Sequence, residues 1–180
     1  LGLFGAAPPE PPMKDPAARL VELQERYAVL ARRMDAILLE LRDINAVFSS
    51  SADPESLRLR SRALQTEADG LMLEGSATRK KYRQGITGVY IYQGAQLRDS
   101  IAKGVGGVAP VGGQILAAEK TADEQKTHTL RIDDELRKEI ARFQKLEQGY
   151  ASRVAARRRA LVIGAAALGA NSDTRVTELA

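Results

Sequence analysis

Chemistry on this chain has few residues to work with, and the first is a single histidine. His128 stands among Lys126, Thr127 and Thr129, which reads as a solvent-exposed position on a polar helix surface. A metal site built on helices needs inward carboxylates at a spacing such as Glu-x-x-His. Here Gln125 stands three before the histidine and Glu124 four before, so that spacing is absent. With no cysteine in the chain there is no thiolate nucleophile, disulfide framework or cysteine-based metal centre. Asp133, Asp134 and Glu135 are followed closely by Arg137 and Lys138 and read as surface charge. The sequence is thus read as non-enzymatic, with no catalytic residue, metal or cofactor expected.

The second candidate is GVGGVAPVGG, residues 104–113. A dinucleotide-binding glycine turn must follow a strand and open a helix, and a P-loop ends in Gly-Lys-Ser or Gly-Lys-Thr. This stretch follows a polar helical run and ends Gly112-Gly113-Gln114, so it is no phosphate cradle. The leading expectation is a helix-reversing hinge, with glycine for backbone freedom and Pro110 as a helix stop. The alternative is contact with lipid or a partner through the fifteen uncharged residues from Gly104 to Ala118, led by Val105, Val108, Val111, Ile115 and Leu116. Two basic runs, Arg79-Lys80-Lys81-x-Arg83 and Arg157-Arg158-Arg159, read first as solvated helix faces, with contact to phosphate or anionic lipid as the alternative. The latter run opens directly on the apolar residues 160–170, eleven positions that are too few to span a bilayer. Packing against a neighbouring subunit is the first reading of that run, and seating in a membrane interface with the arginines on headgroups is the second.

Elements that must position these residues announce themselves through apolar spacing. Leu20, Leu23, Tyr27, Leu30, Met34, Ile37, Leu41, Ile44 and Phe48 recur at gaps of three and four, the heptad rhythm that keeps one seam against a partner helix. Asp15-Pro16 and Asp53-Pro54 supply two starts, each a capping carboxylate followed by proline at the first helical position. A second helix over 53–103 turns Leu57, Leu64, Ala68 and Leu71 to the seam. Its later part carries Gly75, Gly85, Gly88 and Gly94 together with Val89-Tyr90-Ile91-Tyr92. Those residues have strand chemistry but no second strand to pair with, so helix is expected, with the small residues allowing close approach. A third helix over 114–159 presents Ile132, Leu136, Ile140, Phe143, Leu146, Tyr150 and Val154 on one face. The expected architecture is all-α: an elongated bundle of about three long helices with coiled-coil character and a glycine-rich turn. Residues 1–15 form an apolar, proline-rich tail or spacer, 16–159 the rod, and 160–180 an apolar run and frayed tail.

Composition agrees with long helices rather than a bulky core: aromatic residues are 4% and tryptophan is absent, while charged residues reach 28%. The net charge of +4 is spread among interleaved charges of both signs, without aromatic platforms, so nucleic acid is not an expected partner. The apolar start Leu1-Gly2-Leu3-Phe4 followed by five prolines within 8–16 fits an exported, envelope-tethered or virion-associated protein. The leading functional expectation is a structural or interaction subunit that assembles with copies of itself or other proteins through the heptad positions. A membrane-active helical protein of the translocation or pore-forming kind is the alternative. Its contacts would be 104–118 and Arg157, Arg158 and Arg159.

Overall fold

In the computed structural model, which describes residues 15–104 and 112–179, three helices follow one another: α1 (Pro16–Val47), α2 (Pro54–Ala102) and α3 (Gly112–Leu179). No strand occurs among the described residues. The all-α bundle expected from the sequence is what forms. The two aspartates start their helices as the spacing predicts. Asp15 accepts a hydrogen bond from the Ala17 amide at 3.0 Å and Asp53 from the Ser56 amide at 3.2 Å, each with proline in the first turn. These contacts pair amides that have no intrahelical acceptor.

α1 ends in a single 3-10 turn over Phe48–Ser50, after which Ser51 is extended and the chain reverses. The Ser51 hydroxyl oxygen accepts from the Asp53 amide at 3.1 Å and so ties the turn to the next helix start. Cross-links then set the directions of the helices. Arg26 meets Glu74 at 2.8 Å, Arg33 meets Glu67 at 2.6 Å, and Arg60 reaches Glu40 at 2.6 Å, so α2 returns antiparallel to α1. Tyr27 pairs with His128, Asn45 with Glu139 and Phe48 with Phe143, so α3 runs parallel to α1 again.

All nine seam residues, eight on α1 and Phe48 in the turn that ends it, are buried within this one chain, with Ile37 and Leu41 fully inaccessible. Around those from Leu30 onward pack Leu64 and Ala68 of α2 and Ile132, Leu136 and Phe143 of α3, flanked by Leu57, Leu71, Ile140, Leu146 and Tyr150, while Leu20 and Leu23 form a second cluster with Tyr82, Val89, Ala118 and Ala122. Each large aliphatic side chain taken wholly out of water stabilises the bundle by about 1.5–3 kcal/mol. The turn end is closed by aromatic edges: Phe48 stands 5.4 Å from Phe143 and 5.8 Å from Tyr150, both near perpendicular.

The stretch 86–94 is helical throughout, as the missing partner strand implied. Small residues bring the helices together at two places. A Cβ placed on Gly75 would lie 2.9 Å from Met34 Cε, and one on Gly85 would lie 2.7 Å from Leu20 Cδ2.

Two boundaries differ from the sequence expectation. Gly112 and Gly113 belong to the first turn of α3 and not to a hinge. The first amides of a helix lack intrahelical acceptors in any case. α2 closes at Gly104, which takes a positive φ of 69°, the left-handed conformation that favours glycine at a helix end. Residues 105–111, the remainder of the expected hinge, lie outside the described residues. α3 does not stop near Arg159 or fray from Asn171, since its helix continues to Leu179. Ala160–Ala170 is rich in alanine and leucine, strong helix formers that need no seam to propagate a helix already nucleated.

Candidate functional site

Two polar clusters interrupt the apolar seam, and both clamp α1 to α3. The first centres on Tyr27. A tyrosine at a seam position buries its ring and must find a partner for its hydroxyl. Here that oxygen lies 3.0 Å from the Gln125 carbonyl, 2.7 Å from Thr129 Oγ1 and 3.0 Å from His128 Nδ1. The other ring nitrogen, Nε2, lies 3.0 Å from Asp35 Oδ1, and Arg131 approaches the same carboxylate at 3.5 Å. A carboxylate only accepts, so Nε2 carries a hydrogen and donates to Asp35. Tyr27 then donates to Nδ1 of a neutral imidazole, or accepts from Nδ1 of an imidazolium while its own hydrogen turns to the Gln125 carbonyl. Both ring states are satisfied.

This corrects the reading of His128 as a solvent-exposed surface residue: only 18% of its side chain is accessible. Its ring meets that of Tyr27 edge-on at 5.9 Å. The reason is register. α3 sets His128 level with Tyr27, and one edge of the imidazole turns inward, while the rim of the groove outside it carries Lys120, Asp123, Glu124 and Arg131.

Burial pushes the Tyr27 phenol above its ordinary range, against the opposing effects of the Thr129 hydrogen bond and the Arg79 charge. A phenol held in its neutral form serves as a hydrogen-bond donor and not as a base. Among the described residues, no group of three or more His, Asp or Glu stands close enough together to hold a metal ion.

The second cluster surrounds Glu139, whose carboxylate is almost wholly buried. Asn45 Nδ2 donates to Oε2 at 2.8 Å and to the Glu139 carbonyl at 3.0 Å. Arg142 bridges Oε1 from the same helix, and Arg42 lies 3.6 Å from it on α1. Glu135 extends the ladder by meeting Arg42 at 3.5 Å and Arg131 at 3.1 Å. Asp133 and Asp134 do form surface pairs with Arg137 and Lys138, as read from the sequence.

Of the residues proposed for outside contact, the nine heptad positions are all buried, Leu30 to Phe48 in one apolar cluster, Leu20 and Leu23 in a second, and Tyr27 between them in sequence. Being buried there, they present no seam to a second chain. Val105, Val108 and Val111 lie outside the described residues. Ile115 is half-buried and Leu116 exposed near the start of α3, level with the Gln93–Gln114 contact at 2.9 Å between α2 and α3. Arg157, Arg158 and Arg159 are exposed on a part of α3 that continues past the turn. Beyond Tyr150, the last residue in contact with Phe48, α3 runs about another 40 Å at 1.5 Å per residue.

Along this extension Leu161, Val162, Ile163 and Leu168 are 67–70% exposed. Exposed apolar side chains also gather at the opposite end, where Tyr90, Ile91 and Ile101 of α2 stand beyond the start of α1.

Comparison with protein-family models, with curated proteins and with solved structures gives no match.

Asp35, Asn45, Gln125, Thr129 and Glu139 are the residues that pattern reasoning missed. Tyr27 itself was the available signal, because a hydroxyl on a seam position demands polar company on the facing helix.

Proposed function

We propose that this chain is a non-enzymatic structural subunit: a self-contained helical rod that joins a larger assembly through the part of α3 projecting beyond its bundle. The observation that supports this reading is the division of apolar surface. The heptad seam is buried inside one chain, whereas Leu161, Val162, Ile163 and Leu168, on the last part of α3, stand exposed among the described residues. Large apolar side chains exposed contiguously mark a surface that meets something else. The interlocked core serves as a rigid spacer. Tyr27 and Glu139 hold α3 in fixed register against α1, so the projecting end keeps a defined position relative to the other end of the rod. The assembly partner is a second copy or another subunit of the complex, with an envelope or particle surface as the setting.

A chain truncated after Val154 tests this. It keeps the bundle's helicity and thermal cooperativity but loses the ability of the full chain to associate. An unchanged assembly size in the truncated chain would sink the proposal.

The second reading, a membrane-active helical protein, draws on the three arginines that precede the exposed apolar residues. Its original focus, 104–118, has only its last part among the described residues.

A further inference from the structure

The apolar core is divided along the rod. The cluster from Leu30 to Phe48 packs with Leu64, Ala68, Ile132, Leu136 and Phe143, and Leu20 and Leu23 pack separately with Tyr82, Val89, Ala118 and Ala122. Between the two lies a layer that belongs to neither. Gly75 of α2 faces Tyr27, a Cβ there lying 3.8 Å from the phenol ring, and the Tyr27 hydroxyl meets the Gln125 carbonyl at 3.0 Å. Gln125 is only 5% exposed, yet its Nε2 has no hydrogen-bond partner among the described residues. An amide buried without a partner is destabilising. The layer thus sets a phenol, a glycine and an amide where the seam elsewhere has aliphatic side chains.

The two sides of this layer are unequal. On the Phe48 side the helices are joined by large side chains and by ion pairs, among them Arg33–Glu67, Arg60–Glu40, Arg42–Glu139 and Arg62–Glu147. On the other side two of the core residues are alanines, Ala118 and Ala122, and less apolar surface is removed from water. α2 carries Gly85, Gly88 and Gly94 there, each a poorer helix residue than alanine. It also carries Arg79, Lys80, Lys81, Arg83 and Arg98 with no acid between Glu74 and Asp99. Arg79 and Arg83 are four apart, a spacing at which like charges weaken a helix. Hydrogen bonds of Gln93 with Gln114 and of Tyr82 with Thr121 link α2 to α3 on this side.

We infer that the bundle opens at this layer: residues 16–23 of α1, 82–102 of α2 and 112–122 of α3 come apart as one unit while the core from Leu30 to Phe48 stays closed. Stability in a protein is distributed among cooperative units, and the unit with less buried apolar contact opens at lower cost. Tyr27, with Gln125, His128 and Thr129 about its hydroxyl, stays as the lid of the closed part. Opening uncovers Leu20, Leu23, Tyr82 and Val89, which are hidden in the closed rod. The rod therefore has one fixed end and one that opens, independently of the projecting part of α3.

Native-state hydrogen exchange of the full chain, followed residue by residue through low concentrations of urea, tests this. The amides of Ile86 and Val89 on α2 and Ala122 on α3 should exchange through one shared opening, at least about tenfold more often than those of Ile37, Leu64 and Ile132. Ile37→Val should speed exchange at Leu64 and Ile132 by about threefold to tenfold and leave Val89 and Ala122 unchanged, because it costs the closed and half-open forms alike. Gln125→Leu keeps the carbonyl used by Tyr27 and Thr129 and joins the two clusters, so it should slow exchange of the opening end toward that of the core. One common rate throughout, or an Ile37→Val effect that reaches Val89 and Ala122 equally, would make the bundle a single unit and overturn the inference. Rates graded from the helix ends without a shared opening would mean fraying and overturn it as well. An unchanged rate at Val89 and Ala122 in Gln125→Leu would show that the layer is not the boundary.

Discussion

The hydroxyl of Tyr27 and Nδ1 of His128 lie 3.0 Å apart across the interface of two parallel helices. They join a seam residue near the start of α1 to the chain's only histidine. Because Asp35 holds the far side of the ring at 3.0 Å, the imidazole is gripped at both nitrogens by α1. Tyr27→Phe removes one grip and leaves Nδ1 without its partner in a partly buried site, while the Thr129 hydroxyl keeps its bond to the Gln125 carbonyl at 2.8 Å. The expected loss is about 1–2 kcal/mol of unfolding free energy, read by urea denaturation. A change too small to resolve would mean the cluster is not a clamp.

The second prediction concerns alkali. Burial raises the phenols of both Tyr27 and Tyr82, with hydrogen bonds to Thr129 and Thr121 respectively acting the other way. For an acid whose folded value lies above its unfolded one, the neutral form is favoured by folding. The contribution is complete below the ordinary phenol value of about 10 and is lost as pH climbs through the raised folded values. Ultraviolet titration should therefore show Tyr27 and Tyr82 ionising above the ordinary phenol range, together with loss of helix. Ionisation of both at the ordinary value, with the helix intact, would contradict this burial.

On the acid side the corresponding groups are Glu40 and Glu67. Their carboxyls are held below the usual range first by hydrogen bonds from Arg60 and Arg33. Their contribution is present above the ordinary carboxylate value and disappears as pH falls through the lowered one. Both pairs are solvent-exposed, so screening keeps the effect small. Acid should thus weaken the α1–α2 contact only slightly, and a salt titration at neutral pH should do the same.

Glycines on α2 separate close approach from plain helix weakening. Gly88 has nothing within 4 Å of a Cβ, whereas a Cβ on Gly85 would meet Leu20 Cδ2 at 2.7 Å. Gly88→Ala should stabilise by about 0.5–1 kcal/mol through helix propensity alone. Gly85→Ala should gain distinctly less, or lose stability, because Leu20 must shift. Equal gains at both sites would show that α1 and α2 are not in contact at that level.

Glu139 tests the buried polar ladder. Glu139→Ala leaves the Asn45 amide and the Arg142 and Arg42 guanidiniums without their shared acceptor. With arginines that reach solvent, the cost should be about 2–3 kcal/mol. Thermal denaturation of the variant against Glu135→Ala, whose carboxylate is more exposed, gives the comparison. A smaller loss at Glu139 than at Glu135 would count against the ladder.

Much of this architecture was legible in the residues. The gaps of three and four from Leu20 to Phe48 identify one buried face whatever covers it, and Asp15-Pro16 and Asp53-Pro54 mark helix starts through contacts made within a few residues. Such features are local, and so they are visible in the chain. What covers the face is not local. The same seam suits a second copy as well as α2 and α3, and only the tertiary arrangement closes it within one chain. The role of His128 was hidden for the same reason: which side of α3 faces Tyr27 depends on helix register, and the neighbouring Lys126 and Thr127 suggest a wet surface. The extension past Arg159 was missed by a different route. The seam pattern ends there, but a helix of good formers continues without a seam.

The most direct test of a seam closed inside one chain is circular dichroism along a dilution series, with sedimentation giving the mass at each concentration. The account predicts that any oligomer dissociates into monomers that keep their full helical signal. Loss of helix in step with dissociation would show that the residues from Leu20 to Phe48 need a second chain, and would contradict it.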